Sequence, residues 1–220
     1  MRESFEKHIK ELNEKVVAMS EMVASATSRS VKALEDRDVK DAERIIKDDL
    51  LINEKRWQIE EECINLIALQ QPVASDLREI IAVLNVITEL ERMGDYAEGI
   101  ARIAIMLSDE PLIKLLVFTP KMAEKAISML RRSMQAFVKR DDKTANAICN
   151  EDDEVDKLYD QAYHDLLMRM IKDPGVISKA TPLIWAAHNL ERSADRVTNI
   201  CERTVFLATG TMPQVNVSRY

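Results

Sequence analysis

Hydrophobic residues return with helical spacing along six long stretches of the chain, separated by short polar or proline-containing segments. From about residue 38 to residue 70 an isoleucine or leucine recurs every seven residues, as expected of a long amphipathic helix. No segment alternates hydrophobic and polar residues over a useful length. The pattern predicts an all-α protein with helices over residues 3–34, 38–70, 75–107, 120–140, 142–172 and 176–209.

Residues between these stretches supply the expected helix ends. Asp38 and Ser75 are candidate N-caps for the second and third helices. The Gln71-Pro72 pair should end the second helix, since the residue before a proline disfavours the helical conformation. Asp173-Pro174-Gly175 has the composition of a tight turn before the sixth helix.

The helices fall into two groups of three with short connections, which favours antiparallel neighbours. We therefore predict six long helices arranged as two tandem, duplicated three-helix bundles, at residues 1–110 and 111–209. A short apolar piece at 112–118 precedes the fourth helix, and residues 210–220 form a C-terminal tail. One elongated, continuous helical array is the alternative that the sequence leaves open.

Composition agrees with long helices, because only 4 of the 220 residues are glycine and 46% are hydrophobic. The net charge of −7 is unlike that of a nucleic-acid binder, which usually presents a basic patch. The N-terminus lacks the apolar segment of a signal peptide, which predicts a cytoplasmic protein. Cys63, Cys149 and Cys201 are far apart in the sequence and are interpreted as buried thiols in a reducing compartment.

An acidic motif occurs once in each half. Leu90-Glu91-Arg92-Met93-Gly94-Asp95 returns as Leu190-Glu191-Arg192-Ser193-Ala194-Asp195, shifted by 100 residues. The Glu and Asp of each copy are four residues apart and so share one face of a helix. A second pair, Asp49 with Asn53, is matched by Asp152 with Asp156 at a shift of 103. The chain therefore resembles a duplication with two acid-bearing helices in each half.

Carboxylates one turn apart can present oxygen atoms to the same cation. Two such helices would supply about four oxygen ligands, which suits hard cations such as magnesium, manganese or ferric iron. With 38 acidic residues in the chain, roughly six acid pairs at this spacing arise by chance, so a solvated acidic face is the alternative. Recurrence in register favours the metal interpretation. Arg92 and Arg192 directly follow the motif glutamates and are expected to point off the acidic face.

Several other residues allow two interpretations. His188 shares the face of Glu191 and could be a ligand, although a structural or surface histidine fits its Thr88 counterpart better. Trp57 and Trp185 are expected to be packing residues. The two glycines of the third helix, at positions 94 and 99, indicate either a close approach of another group or tolerated surface sites.

Enzymatic motifs are missing from the sequence. No glutamate stands three residues before a histidine, which argues against a di-iron oxidase, and there is no phosphate-binding loop or serine elbow. We therefore expect a protein that is not an enzyme.

The signature segments are similar to those of the PhoU family, the accessory proteins of bacterial phosphate uptake. The resemblance covers nearly the whole chain to about residue 209. The residues that support it are Leu69-Gln70-Gln71-Pro72-Val73-Ala74-Ser75-Asp76-Leu77-Arg78, Glu89 to Asp95, and Asn189 to Asp195.

The resemblance implies two three-helix bundles and a non-enzymatic, negative regulator of phosphate uptake and of the phosphate-starvation response. Its implied partners are the ATPase of the phosphate ABC importer and a phosphate-sensing histidine kinase. It also implies metal ions, iron, zinc, manganese or magnesium, on motifs that correspond here to Glu91 with Asp95 and Glu191 with Asp195, with helix partners Asp49, Asn53, Asp152 and Asp156. No organic cofactor is expected.

We further expect a homodimer that binds no nucleic acid and reaches the membrane only through its partners. Asn53 departs from the all-acid pattern, so the site in the first half should bind metal more weakly. The remaining alternatives are an accessory protein of a different phosphate permease and, from another functional class, a metal-dependent hydrolase or metal-storage bundle.

Overall fold

Long helices joined by turns of a few residues make up the part of the chain that the structure describes. This computed structural model describes residues 2–109 and 118–211, with side chains from Phe5 onward, and no strand occurs within these ranges. The helices are α1 (Arg2–Asp36), α2 (Val39–Gln70), α3 (Ser75–Met106), α4 (Phe118–Lys139), α5 (Asp142–Cys149), α6 (Asp152–Lys172) and α7 (Ile177–Thr209), with a 3₁₀ turn at Pro174–Val176.

The all-α fold of two repeated three-helix units is confirmed. In the first unit α1, α2 and α3 pack against one another, and in the second α4 and α7 pack with α5 and α6. The units are joined where α3 packs against α7 and α1 packs against α4. Buried hydrophobic side chains from both units form one continuous core.

The predicted helix ends are confirmed except for one. The Asp38 carboxylate accepts a hydrogen bond from the Asp41 backbone N–H at 3.0 Å, and α2 ends before Gln71, whose φ of 46° is left-handed. The N-cap assigned to Ser75 is wrong. Ser75 is the first residue of α3, and the cap position is Ala74, which makes no side-chain capping bond.

The stretch predicted as one helix at 142–172 is divided into α5 and α6. At the break the Glu151 backbone N–H bonds to the carbonyl of Ile148, three residues back, at 3.0 Å, so the α-helical ladder is interrupted. The Glu151 carboxylate is held by α4, where it accepts from Arg132 Nη1 at 2.7 Å and lies 3.0 Å from Lys125 Nζ. These cations lower the pKa of Glu151 to about 2. Helical periodicity in α5 and α6 gave no sign of this contact with α4.

Two further expectations concern side chains. Trp57 and Trp185 are not packing residues, because 61% and 53% of their surfaces are exposed. At Gly99 the backbone of α3 lies close to α7, as one of the two interpretations of this glycine predicted. A Cβ at this position would lie 2.8 Å from the Asn189 side-chain nitrogen. The apolar piece at 112–118, apart from Phe118, and the tail beyond Thr211 lie outside the described residues. The bounds of the two bundles stay a prediction.

A bidentate arginine fastens α1 to α2. Arg29 donates to Asp41 Oδ1 at 2.6 Å and to Asp48 Oδ2 at 2.8 Å. The hydrogen bond from Arg29 lowers the pKa of Asp41, and the two aspartates raise the pKa of Arg29.

We predict that Asp41→Asn lowers the free energy of unfolding by about 0.5–1 kcal/mol at neutral pH. Because the folded pKa of Asp41 is depressed, its stabilisation is present above the unfolded value of about 3.9 and is lost as pH falls through the folded value. Urea unfolding at pH 7 and pH 3 should show the two proteins converging at the lower pH. Glu43→Gln, an exposed change on the same helix, is the control, and a difference independent of pH would contradict the prediction.

Candidate metal centres

The acidic residues predicted in the second half lie together on the facing sides of α6 and α7. Asp152 and Asp156 occupy successive turns of α6, and Glu191 and Asp195 occupy successive turns of α7. The pKa of Asp152 is raised to about 7. Burial is the largest cause, and the charges of Asp156, Asp195 and Glu191 act in the same direction. These four carboxyl groups therefore form one electrostatic cluster, which we call the α6–α7 cluster.

Glu191 is the most deeply placed member of the α6–α7 cluster, with only 5% of its surface exposed. Burial raises its pKa to about 7, with contributions from Asp195 and Asp156, while Arg192 acts in the opposite direction. Burial likewise raises the pKa of Asp156 and of Asp195. Crowded and desolvated carboxylates of this kind are stabilised by a positive charge placed among them.

The first half repeats the arrangement between α2 and α3. Burial raises the pKa of Asp49 to about 6, and the nearby charges of Asp95 and Glu91 act in the same direction. Asn53 donates a hydrogen bond from Nδ2 to Asp49 Oδ2 at 2.8 Å, which partly offsets this shift. We call Asp49, Asn53, Glu91 and Asp95 the α2–α3 cluster. The pKa of Asp49 is raised less than that of Asp152 in the α6–α7 cluster, in keeping with an asparagine in place of one acid.

Gly94 allows α2 and α3 to approach closely at this cluster. A Cβ at position 94 would lie 3.2 Å from Asp49 Oδ1 and 3.3 Å from the Ile52 side chain. The close-approach interpretation of Gly94 is therefore confirmed as well. The aligned position in α7 is Ala194, which is fully buried.

Both clusters contain buried oxygen atoms without a hydrogen-bond partner among the described residues. These atoms are Asp49 Oδ1, Asp152 Oδ1 and Glu191 Oε2, the last of which makes no hydrogen bond although His188 Nδ1 lies 3.2 Å from it. An unpaired buried carboxylate oxygen is unfavourable unless a cation or donor compensates it. The donor sets therefore fit a hard cation in their chemistry. In residues 2–109 and 118–211, however, no three His, Cys, Asp or Glu side chains converge tightly enough to hold a metal ion.

Arginines lie closer to the acids than the sequence indicated. The expectation that Arg92 points away is wrong, since its Nη1 lies 3.3 Å from Asp95 Oδ2 and its Nε lies 3.6 Å from Glu91 Oε2. The long Arg92 side chain lies along the surface of its own helix and so reaches both acids. The position of its Cα alone does not predict this contact. Arg56 of α2 was missed, and its Nη1 lies 3.9 Å from Glu91 Oε1.

Sequence reasoning also missed acids at the edges of the clusters. Glu98 raises the pKa of Asp49 and Asp95, and Asp160 raises the pKa of Asp156 and Glu191. The signal was present for Asp160, which continues the four-residue spacing of Asp152 and Asp156. Glu98 was hidden because its counterpart at a shift of 100 is Thr198, so comparison of the halves did not select it.

His188 lies beside the α6–α7 cluster. Its Nδ1 is 3.2 Å from Glu191 Oε2, its side chain is 48% exposed, and its ring centroid is 5.8 Å from that of Tyr159. Burial and the charge of Arg192 lower the pKa of His188, which favours the neutral ring. The half-exposed ring agrees with the interpretation of His188 as a surface histidine. Its Nδ1 is nevertheless close to the carboxyl group of Glu191.

A groove of about 650 Å³ lies elsewhere, between α1, the start of α3 and the end of α4. Its polar floor contains the ion pair of Glu79 with Arg140, and Asn13 donates to Glu79 Oε1 at 3.3 Å. None of the predicted site residues lines this groove. Across the described ranges, no helix combines the length and the apolar character needed to span a bilayer.

We predict that Asp152→Asn stabilises the protein in the presence of a chelator. Since the folded pKa of about 7 lies above the unfolded value of about 3.9, the wild-type carboxyl costs stability increasingly as pH rises above 3.9, and the cost is complete once pH passes 7. At pH 8 the variant should gain about 1–2 kcal/mol, and the gain should shrink at pH 5. Thermal unfolding in EDTA measures this. Asp153→Asn, an exposed neighbour, is the control, and a destabilised Asp152→Asn at pH 8 would refute the prediction.

Comparison with known proteins extends the internal duplication to a family. The family model described as "PhoU domain" matches residues 16–104 and again residues 119–204. The chain is 37% identical to the phosphate-specific transport system accessory protein PhoU homolog of Clostridium acetobutylicum over 98% of this chain and 99% of that protein.

Two solved structures have the same fold. The crystal structure of PhoU from Pseudomonas aeruginosa matches with a TM-score of 0.89 and 33% identity, covering 94% of this chain and 100% of that one. The phosphate transport system regulatory protein PhoU from Streptococcus pneumoniae matches with a TM-score of 0.89 and 32% identity, covering 96% and 100%. From these matches and the duplicated bundles, the chain belongs to the PhoU domain family.

Proposed function

We propose that the protein is an accessory protein of a phosphate-specific transport system. The observation that supports this most strongly is the paired match to the PhoU domain, one in each bundle, together with relatives of that function aligned over nearly the full chain. The repeated acidic clusters occupy equivalent places in both bundles, as expected if each domain retains the same site.

Within that role we propose a negative regulator that links the ATPase of the phosphate ABC importer to a phosphate-sensing histidine kinase. The protein acts by binding rather than by catalysis, as a cytoplasmic homodimer that reaches the membrane through its partners. Exposed apolar side chains, including Leu50, Trp57 and Trp185, are available for such contacts. The absence of nucleophile and acid–base motifs from the sequence supports a non-enzymatic role.

We also propose that the acidic clusters bind metal ions. Asp152, Asp156, Glu191 and Asp195 would hold a cation in the second half, and Asp49, Asn53, Glu91 and Asp95 in the first. Iron, manganese and magnesium suit these oxygen donors, and zinc accepts carboxylates as well. A bound cation would compensate the buried charges and pair the unpartnered oxygens, so that the two helices of each pair are linked at the cluster.

The two clusters offer a reciprocal test, because Asn53 and Asp156 hold matching places. Asn53→Asp should strengthen binding in the first half and Asp156→Asn should weaken it in the second, each on the order of tenfold. The reason is that ligand charge determines affinity for a hard cation, and the Asn53 amide is already engaged in donating to Asp49. Calorimetric titration with manganese, with elemental analysis of the loaded protein, measures both.

Wild-type protein should therefore show tighter binding in the second half than in the first. Single-half variants, Glu91→Gln and Glu191→Gln, assign each binding event to its cluster. Binding that is tighter in the first half, or that ignores both reciprocal substitutions, would be evidence against these ligand sets. Circular dichroism on each variant shows whether the helices are retained.

The regulatory role is tested by complementation. In a bacterium that lacks its own PhoU, we expect this chain to restore repression of an alkaline phosphatase reporter at high phosphate. The purified chain should also co-elute with the importer ATPase, since the proposed link requires direct contact. If the protein is stably expressed but the reporter is not repressed at high phosphate, the regulatory proposal is wrong.

The competing hydrolase is tested separately. Purified protein with added manganese or magnesium should show no phosphatase turnover above that of Glu191→Gln. Robust turnover that disappears in the variant would replace the regulatory proposal with an enzymatic one.

A further inference from the structure

Two cysteines that are distant in sequence face each other across α5 and α7. Cys149 is the last residue of α5, and Cys201 lies in the last third of α7. The Cys149 thiol donates to the Thr198 carbonyl, one turn before Cys201, at a sulfur–oxygen distance of 3.8 Å. Thr198 stands three residues before Cys201 on α7, so this contact places the Cys149 sulfur next to the turn that carries Cys201. Both are free cysteines.

The two cysteines differ in their exposure to solvent. Cys149 is partly exposed, whereas Cys201 is fully buried. The third cysteine, Cys63, is also fully buried and lies on α2 in the other unit. An accessible thiol with a buried partner beside it is the arrangement of an attacking and a resolving cysteine.

We propose that Cys149 and Cys201 form a reversible intramolecular disulfide when the protein meets a hydroperoxide. The Cys149 thiolate attacks one peroxide oxygen, the O–O bond breaks, and with hydrogen peroxide the products are a sulfenic acid and hydroxide. The Cys201 sulfur then attacks the Cys149 sulfur, releases its proton, and displaces the hydroxyl group as water. In sum, two thiols and one hydrogen peroxide give one disulfide and two waters, with both electrons coming from the sulfurs.

The packing of α5 against α7 already brings the two cysteines into the same part of the second unit. Bond formation then requires side-chain rotation and local adjustment until the sulfurs are about 2.05 Å apart. Cys149 also borders the break at Asn150–Glu151, where the backbone leaves the α-helical pattern and has room to adjust. In a reducing compartment, thiol–disulfide exchange with small thiols restores both cysteines.

The bond would act on the second acidic cluster. Cys149 lies three residues before Asp152, and Cys201 lies six residues after Asp195. A disulfide between them therefore ties the beginning of α6 to α7 beside the α6–α7 cluster. It also closes a loop that contains all of α6, which restricts the unfolded chain and should raise the melting temperature by roughly 5–10 °C.

The test treats fully reduced wild-type protein with a few equivalents of hydrogen peroxide, followed by denaturing alkylation and non-reducing peptide mapping. We expect a linked peptide pair containing Cys149 and Cys201, a mass loss of two hydrogens, an alkylated Cys63, and a raised melting temperature. Dithiothreitol should reverse all of these changes. Cys63→Ala, the matched control, should retain the linked pair.

Variants separate the two roles. Cys201→Ala should leave Cys149 as a trappable sulfenic acid with no cross-link, and Cys149→Ser should abolish peroxide reactivity under native conditions. Mapping of wild-type protein needs no substitution, so it remains decisive if a variant fails to fold. Cys149 oxidised beyond sulfenic acid without a link, a bond that includes Cys63, a linked dimer, or three thiols that all survive would each overturn the proposal.

Discussion

The antiparallel packing of α3 against α7 is the constraint on which the rest of the molecule depends. Glu89 of α3 accepts hydrogen bonds from Arg196 at 3.3 Å and Asn199 at 3.1 Å, both on α7. Gly99 leaves room for the Asn189 side chain at the same interface. Because α3 and α7 each hold one copy of the acidic motif, the contact between them fixes how the two clusters are placed. The remaining helices pack outward from this central pair.

A second helix from the same unit completes each cluster. It brings further carboxylates close to those of the motif, so that their negative charges repel one another. Burial shifts the pKa of Asp152 and of Glu191 to about 7, against ordinary values near 4. Core packing holds these carboxyl groups in place, since Val155 and Ala194 beside them are fully buried. The fold thus stabilises an arrangement that the carboxylates themselves oppose, and a cation would relieve that opposition.

Sequence reasoning predicted the helical fold from local periodicity, and it selected the eight cluster residues from their spacing and from internal duplication. Their role as metal ligands stays a prediction. Sequence reasoning failed where a side chain reaches another helix. At the break before Asp152, Glu151 is paired with Arg132 of α4, and Arg92 is paired with Asp95 on its own helix. Trp57 was expected to be a packing residue because it lies within a helical pattern, although its helix turns that position outward. The approach of Cys149 to Cys201 is a tertiary contact between α5 and α7 and has no sequence signature.

The differences between the halves are as informative as their likeness. The first half has Asn53 where the second has Asp156, yet it gains Glu98 where the second has Thr198. Glu98 does not simply replace the lost acid, because it is paired with Arg102 at 2.6 Å. Among the described residues, the second half alone has a histidine next to its acids, and Cys149 and Cys201 lie near the same cluster. The duplicated bundles therefore share a scaffold but differ in charge and in redox chemistry, so one cation or one oxidant would act on them unequally.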